Sequence, residues 1–134
     1  MEVAYLAPAE VVALHQHMMR RMGWRPAPLR SEDLLESAVQ RAQAAAYYGG
    51  ADLVEQACVL AVGISQNRLF LDGNKRTALY CLIIFLRRNG VILTAEQIEI
   101  AQQLIDVAER EGSLDEATAQ FAAWVRERTI AIPE

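Results

Sequence analysis

An all-α fold in a single domain of about six helices is predicted by three observations. Each long segment of the 134-residue chain repeats its apolar residues with helical period, the breaks between segments carry helix punctuation, and no run reads as a convincing strand. Composition agrees with one domain over residues 1–134. With 53% hydrophobic and 22% charged residues and only four prolines, the chain can bury a core that needs neither disulfide nor metal.

The first helix is expected from Pro8 to Met22, opening on proline in its first turn and repeating Val11, Leu14, Met18 and Met22 until Gly23 ends it. Arg25-Pro26-Ala27-Pro28 makes a stiff connection. Ser31 then supplies an N-cap, with Glu32 and Asp33 in the first turn of a second helix that should run to about Ala46. Gly49-Gly50 breaks the chain before a third helix, Ala51 to Gln66, whose Ala57–Val62 stretch is apolar on all sides and should be central. A loop over 67–73 leads to a fourth helix, Asn74 to Arg88, apolar all round through Leu79, Leu82, Ile83, Phe85 and Leu86 and stopped by Asn89-Gly90. Capping-box spacings at Thr94–Gln97 and Ser113–Glu116 predict two amphipathic helices running to Glu111 and Arg128.

The longest apolar run, Ala78 to Leu86, is about half the length needed to span a bilayer. Two cysteines, Cys58 and Cys81, without CxxC or Cys/His clustering make no zinc site, and the absence of a signal peptide points to free thiols and a cytoplasmic protein. His15 and His17, two positions apart, face different sides of their helix and read as packing residues rather than joint metal ligands. The net charge is −4, yet residues 68–88 carry Arg68, Lys75, Arg76, Arg87 and Arg88 against Asp72 alone. One basic zone on an acidic chain implies a local anion site and argues against direct nucleic-acid binding. Lys75 is the only lysine, beside twelve arginines.

That lysine stands in Phe70-Leu71-Asp72-Gly73-Asn74-Lys75-Arg76-Thr77, at the start of the fourth helix. A helix N-terminus offers unpaired N–H groups and the positive end of the dipole to an anion. Gly73 permits close approach of the backbone. Lys75 and Arg76 in the first turn oppose the dipole unless an anion binds there. Asp72 is a hard oxygen ligand of the kind that shares Mg²⁺ with substrate phosphates.

The run resembles the signature of the Fic/Doc superfamily, His-x-Phe-x-Asp/Glu-Gly-Asn followed by Gly-Arg in the Fic branch and Lys-Arg in the Doc branch; Lys75 places the resemblance with Doc. It extends through Thr77-Ala78-Leu79, Phe85–Gly90, Ala13-Leu14-His15 and Leu34–Ala38. The resemblance implies a small helical toxin of a toxin–antitoxin system, a kinase that transfers phosphate from ATP to a threonine of elongation factor Tu and blocks translation. It implies ATP and Mg²⁺ as cofactors, with Asp72 on the metal, Gly73 and Asn74 in the phosphate cradle, and Lys75 and Arg76 on phosphate oxygens. Phe70 would anchor the loop, and the link near Tyr47 to Gly50 would match the family's substrate-positioning flap. The implied partner besides elongation factor Tu is the disordered C-terminal segment of a Phd-type antitoxin. Fic relatives transfer AMP instead, an alternative that Lys75 disfavours. A non-catalytic antitoxin-binding module is a further alternative.

One position departs from the signature. The catalytic histidine should stand at residue 68, and the chain has Arg68. Arginine stays protonated and has no acceptor nitrogen, so it cannot take a proton from an attacking hydroxyl. The expectation is an intact scaffold with impaired catalysis, and since one base change converts a histidine codon to arginine, a detoxifying substitution is favoured over natural degeneracy.

Overall fold

The computed structural model describes residues 2–133. Six helices form, α1 Pro8–Arg21, α2 Glu32–Gly49, α3 Leu53–Asn67, α4 Asn74–Arg88, α5 Gln97–Ala108 and α6 Leu114–Arg126. The all-α architecture predicted from periodicity is present. Two short strands accompany it, β1 Val91–Leu93 and β2 Thr129–Ala131, paired antiparallel with Val91 opposite Ala131 and Leu93 opposite Thr129. They correct the expectation of no strand: three residues are too few for an alternating pattern to register, although the β-branched pair Val91-Ile92 follows the Asn89-Gly90 stop directly.

Buried residues occupy most of α3, among them Ala57, Cys58, Leu60, Ala61 and Ile64, and these pack on Ala78, Leu82, Phe85 and Leu86 of α4. This is the central pair anticipated from helices apolar on all sides. Small residues bring α2 close to α3; a Cβ added at Gly63 would lie 3.4 Å from the Cβ of Ala38. α1 covers α4 through Val11, His15, Met18 and Met19, all buried.

Several boundaries differ from expectation, each for a local reason. α2 continues past Ala46 through Tyr47, Tyr48 and Gly49, and Gly50 in the left-handed conformation stops it. Asp52 caps α3, its carboxylate accepting from the Glu55 N–H at 2.8 Å. α5 starts two residues later than the Thr94 box implies, because the Thr94 hydroxyl donates to the Arg128 carbonyl beside the strand pair and Glu99 caps from within by accepting from the Glu96 N–H. α6 opens on Ser113 as expected. It ends at Arg126 because Thr129 enters β2.

Candidate active site

The loop between α3 and α4 is held from three sides. On one side it runs antiparallel to the α1–α2 link: the Arg30 N–H donates to the Leu69 carbonyl at 2.7 Å and the Leu71 N–H to the Pro28 carbonyl at 3.2 Å, bracketing Leu29 opposite Phe70. From within, Asn74 clips it, its Oδ1 accepting from the Phe70 N–H at 2.9 Å and its Nδ2 donating to the Phe70 carbonyl at 2.7 Å. From below, α1 supports it: the imidazole of His15 stacks on the buried ring of Phe70, centroids 3.6 Å apart and planes 5° from parallel. The His15 Nε2–H donates to the Asp72 carbonyl at 2.8 Å.

Gly73 is the N-cap of α4, with φ +83, and no side chain caps the helix. The first-turn N–H groups of α4 therefore remain open to a ligand. A Cβ at Gly73 would meet Met18 Cε at 2.8 Å and Met19 Sδ at 3.0 Å, so the loop sits directly on α1 at a position only glycine fills. Asp72 is exposed; its Oδ1 accepts from the Gly73 N–H at 2.8 Å, and its Oδ2 has no protein partner among the described residues. The four ion pairs of the described residues involve none of Arg68, Asp72, Lys75 or Arg76.

Arg68, Asp72, Gly73, Asn74 and Lys75 line one cavity of about 420 Å³, together with Ser65, Gln66, Leu71 and Ala108. That volume falls in the range of roughly 300–1,000 Å³ typical of small-molecule sites. A second cavity, about 390 Å³ between α5 and α6, is walled by Asp106, Glu111 and Glu116 with Arg110, a set that repels phosphate.

The structure thus gathers five of the six site residues read from the sequence. The sixth, Arg76, lines a separate groove with Lys75, Gln97 and Ile98, because one helical step turns it about 100° from Lys75. Both ends of the Asn74 amide bond to Phe70, while its backbone N–H belongs to the open first turn of α4. Phe70 anchors the loop as expected, being 1% exposed. Tyr47 to Gly49 is the last turn of α2, not a flap, and lies at the far end of α3, about 22 Å of helix from Arg68. The segment beside the motif is 28–30 instead.

His15 and Arg30 hold the loop through contacts that the sequence did not single out. The signals for His15 were its place in the Ala13-Leu14-His15 resemblance and a polar ring on the buried stripe of α1; it is fully buried, and desolvation lowers its pKa against the opposing hydrogen bond to Asp72, which favours the neutral ring. Arg30 gives no sequence signal at all.

Residues 5–86 match the model of the Fic/DOC family. That span includes α1 through most of α4, and with it the whole motif loop and its supports. The chain belongs to the Fic/DOC family. Among curated Doc relatives it is similar to the "Protein kinase doc" of Escherichia phage P1, 38% identical over 88 residues, which is 65% of this chain and 69% of that protein. It is likewise similar to the "Toxin Doc" of Mycolicibacterium smegmatis (strain ATCC 700084 / mc(2)155), 37% identical over 102 residues, 72% of this chain and 77% of the relative. Arg68, two residues before Phe70, stands where the resemblance leads one to expect a histidine. Among the described residues no helix is long and apolar enough to cross a membrane.

Proposed function

We propose that this chain is the toxin of a toxin–antitoxin pair, built to transfer the terminal phosphate of ATP to a threonine of elongation factor Tu and thereby block translation. In this reading the chain as it stands is catalytically impaired by Arg68. The observation that carries the proposal is the shared cavity: an uncapped helix N-terminus, Lys75 and an Asp72 oxygen, both without a protein partner among the described residues, line it together with position 68.

The residues fit a Mg²⁺–nucleotide. No cluster of three or more His, Cys, Asp or Glu side chains capable of holding an ion occurs among the described residues, so Asp72 is a lone carboxylate, as suits an ion that takes its other ligands from phosphate and water. Mg²⁺ would neutralise phosphate charge and align the transferring group. The protein's share is positional: Asp72 would hold the ion, while Lys75 and the first-turn N–H groups of α4 would bind phosphate oxygens. Position 68 lines the same cavity, where an acceptor hydroxyl would approach. A histidine there takes the hydroxyl proton; Arg68, permanently protonated, binds anion instead and leaves the hydroxyl unactivated. General-base help of this kind is commonly worth about 10²–10⁴ in rate. A cytoplasmic setting and a Phd-type antitoxin tail as partner complete the proposal.

The test is purified Arg68→His incubated with ATP, Mg²⁺ and elongation factor Tu, read by mass spectrometry. A threonine gaining one phosphate is the expected result. A gain of AMP would replace phosphoryl by adenylyl transfer. An unmodified target, with the variant folded and still binding an antitoxin tail, would leave a non-catalytic interaction module.

A further inference from the structure

We infer that His15 is a positioning residue for the Asp72 carboxylate, acting through the peptide plane that joins Asp72 to Gly73. The inference deepens the reading of Asp72 as the metal-holding group and rests on it. In a trans peptide the carbonyl and the following N–H point in opposite directions and turn together. His15 Nε2–H holds the Asp72 carbonyl down toward α1 at 2.8 Å, so the Gly73 N–H of the same plane points up, where it binds Asp72 Oδ1 at 2.8 Å. One carboxylate oxygen is thereby fixed, and Oδ2 is left to the cavity.

Without that hold the plane keeps only the bond to Asp72 Oδ1 and the packing of Met18 and Met19 against Gly73. Gly73 stands at φ +83 as the hinge residue, and a glycine peptide rotates more readily than any other. The other loop bonds fall on neighbouring peptides: Arg30 and Pro28 hold residues 69 and 71, Asn74 holds Phe70, and Thr77 holds the Gly73 carbonyl through its N–H and hydroxyl. Among the described residues His15 alone reaches Asp72 by a hydrogen bond from outside the motif, over 57 positions of sequence.

Packing does not account for a histidine here. The ring is fully buried and its Nδ1 has no hydrogen-bond partner, a cost that an apolar side chain stacked on Phe70 would avoid. What the imidazole adds is a single N–H donor at a fixed height above Phe70. Because a carbonyl only accepts, the ring must be the Nε2–H tautomer.

Three measurements test this. In the unaltered protein, ¹⁵N NMR of His15 should show a protonated Nε2 and a bare Nδ1; the opposite tautomer overturns the inference and requires no variant to fold. Calorimetry then compares ATP binding with Mg²⁺ and with EDTA. His15→Phe, which keeps the stack and drops the donor, should weaken the Mg²⁺-dependent part roughly tenfold to a hundredfold, as loss of a ligand-orienting partner does, while ATP binding in EDTA stays as before. His15→Gln, which restores an N–H donor, should recover most of it, and the Gly73 amide proton should move upfield in the Phe variant and return in the Gln variant. An unchanged Mg²⁺ dependence in folded His15→Phe, or its loss in folded His15→Gln, overturns the positioning role. Asp72→Asn separates the two readings. If that variant leaves Mg²⁺ dependence intact, it is the assignment of Asp72 to the metal that fails; if it abolishes the dependence while His15→Phe does not, only the role of His15 falls.

Discussion

Arg30 holds the main chain of Arg68: its Nη1 donates to the Arg68 carbonyl across 2.8 Å, from a residue 38 positions earlier. Arg68 is the C-cap of α3 and the only non-glycine residue in the left-handed region among those described, at φ 49 and ψ 60. The backbone at the signature histidine position is therefore fixed independently of the side chain it carries. Histidine adopts this conformation more often than most residues. Arg68→His should accordingly fold with stability within about 0.5 kcal/mol of the parent in urea titration, and Arg68→Gly should gain up to about 1 kcal/mol by removing the left-handed penalty. A large loss in either variant would mean that the Arg68 side chain, not Arg30, holds this turn.

Asp72 gives a complementary prediction. Its carboxylate is not the N-cap of α4, and an asparagine Oδ1 can still accept from the Gly73 N–H. Asp72→Asn in the Arg68→His background should cut Mg²⁺-dependent transfer at least tenfold, the scale of losing a metal-directed charge, while melting shifts by no more than a few degrees. Unchanged transfer with a lowered melting temperature would make the residue structural.

The cysteines should be inert in the folded protein. Burial pushes the Cys81 thiol up to about 12 and the Cys58 thiol still higher, with both side chains inaccessible. Alkylation by iodoacetamide at pH 8.5 should label neither until denaturant is added, because the thiolate is the reactive form. Rapid labelling of the native protein would contradict the packing of the α3–α4 pair.

The Glu10–Arg88 pair ties α1 to the end of α4 at 2.6 Å, with both side chains more than a third exposed. The Arg88 hydrogen bond holds the Glu10 pKa below its ordinary value. A carboxylate depressed in the fold contributes stability above its unfolded pKa, near 4.5, and loses it as pH falls through the folded value. Glu10→Gln, which keeps the acceptor for the Ala7 N–H, should therefore cost under about 1 kcal/mol at pH 7. The difference should shrink in thermal melts as pH is lowered below about 4.5. A difference that grows on acidification would reverse the assigned sign.

Long helices and the motif were legible because both are contiguous. The all-round apolar faces of α3 and α4 announced the core pair, and Ser31 and Ser113 announced two helix starts that the structure keeps. What escaped was whatever depends on residues distant in sequence. The Thr94 hydroxyl serves the Arg128 carbonyl rather than a helix cap, and Val91–Leu93 becomes a strand only because Thr129–Ala131 arrives beside it. At the site, Lys75 and Asp72 could be placed by position, whereas the commitment of the Asn74 amide to Phe70, the turn of Arg76 toward α5 and the supporting contacts of His15 and Arg30 are tertiary facts.

The three supports of the motif loop come from the first helix, the first link and the fourth helix, so the loop acquires its shape only in a fully assembled domain. Docking of α1 is then a checkpoint for the loop: a chain whose first helix has detached retains the whole motif as text, yet presents an unoriented Asp72 carboxylate and an unsupported N-terminus of α4. The shape of the loop is thereby confined to the native state. Anything that loosens the Met18–Met19 platform under Gly73 should disorder the loop before it unfolds the core.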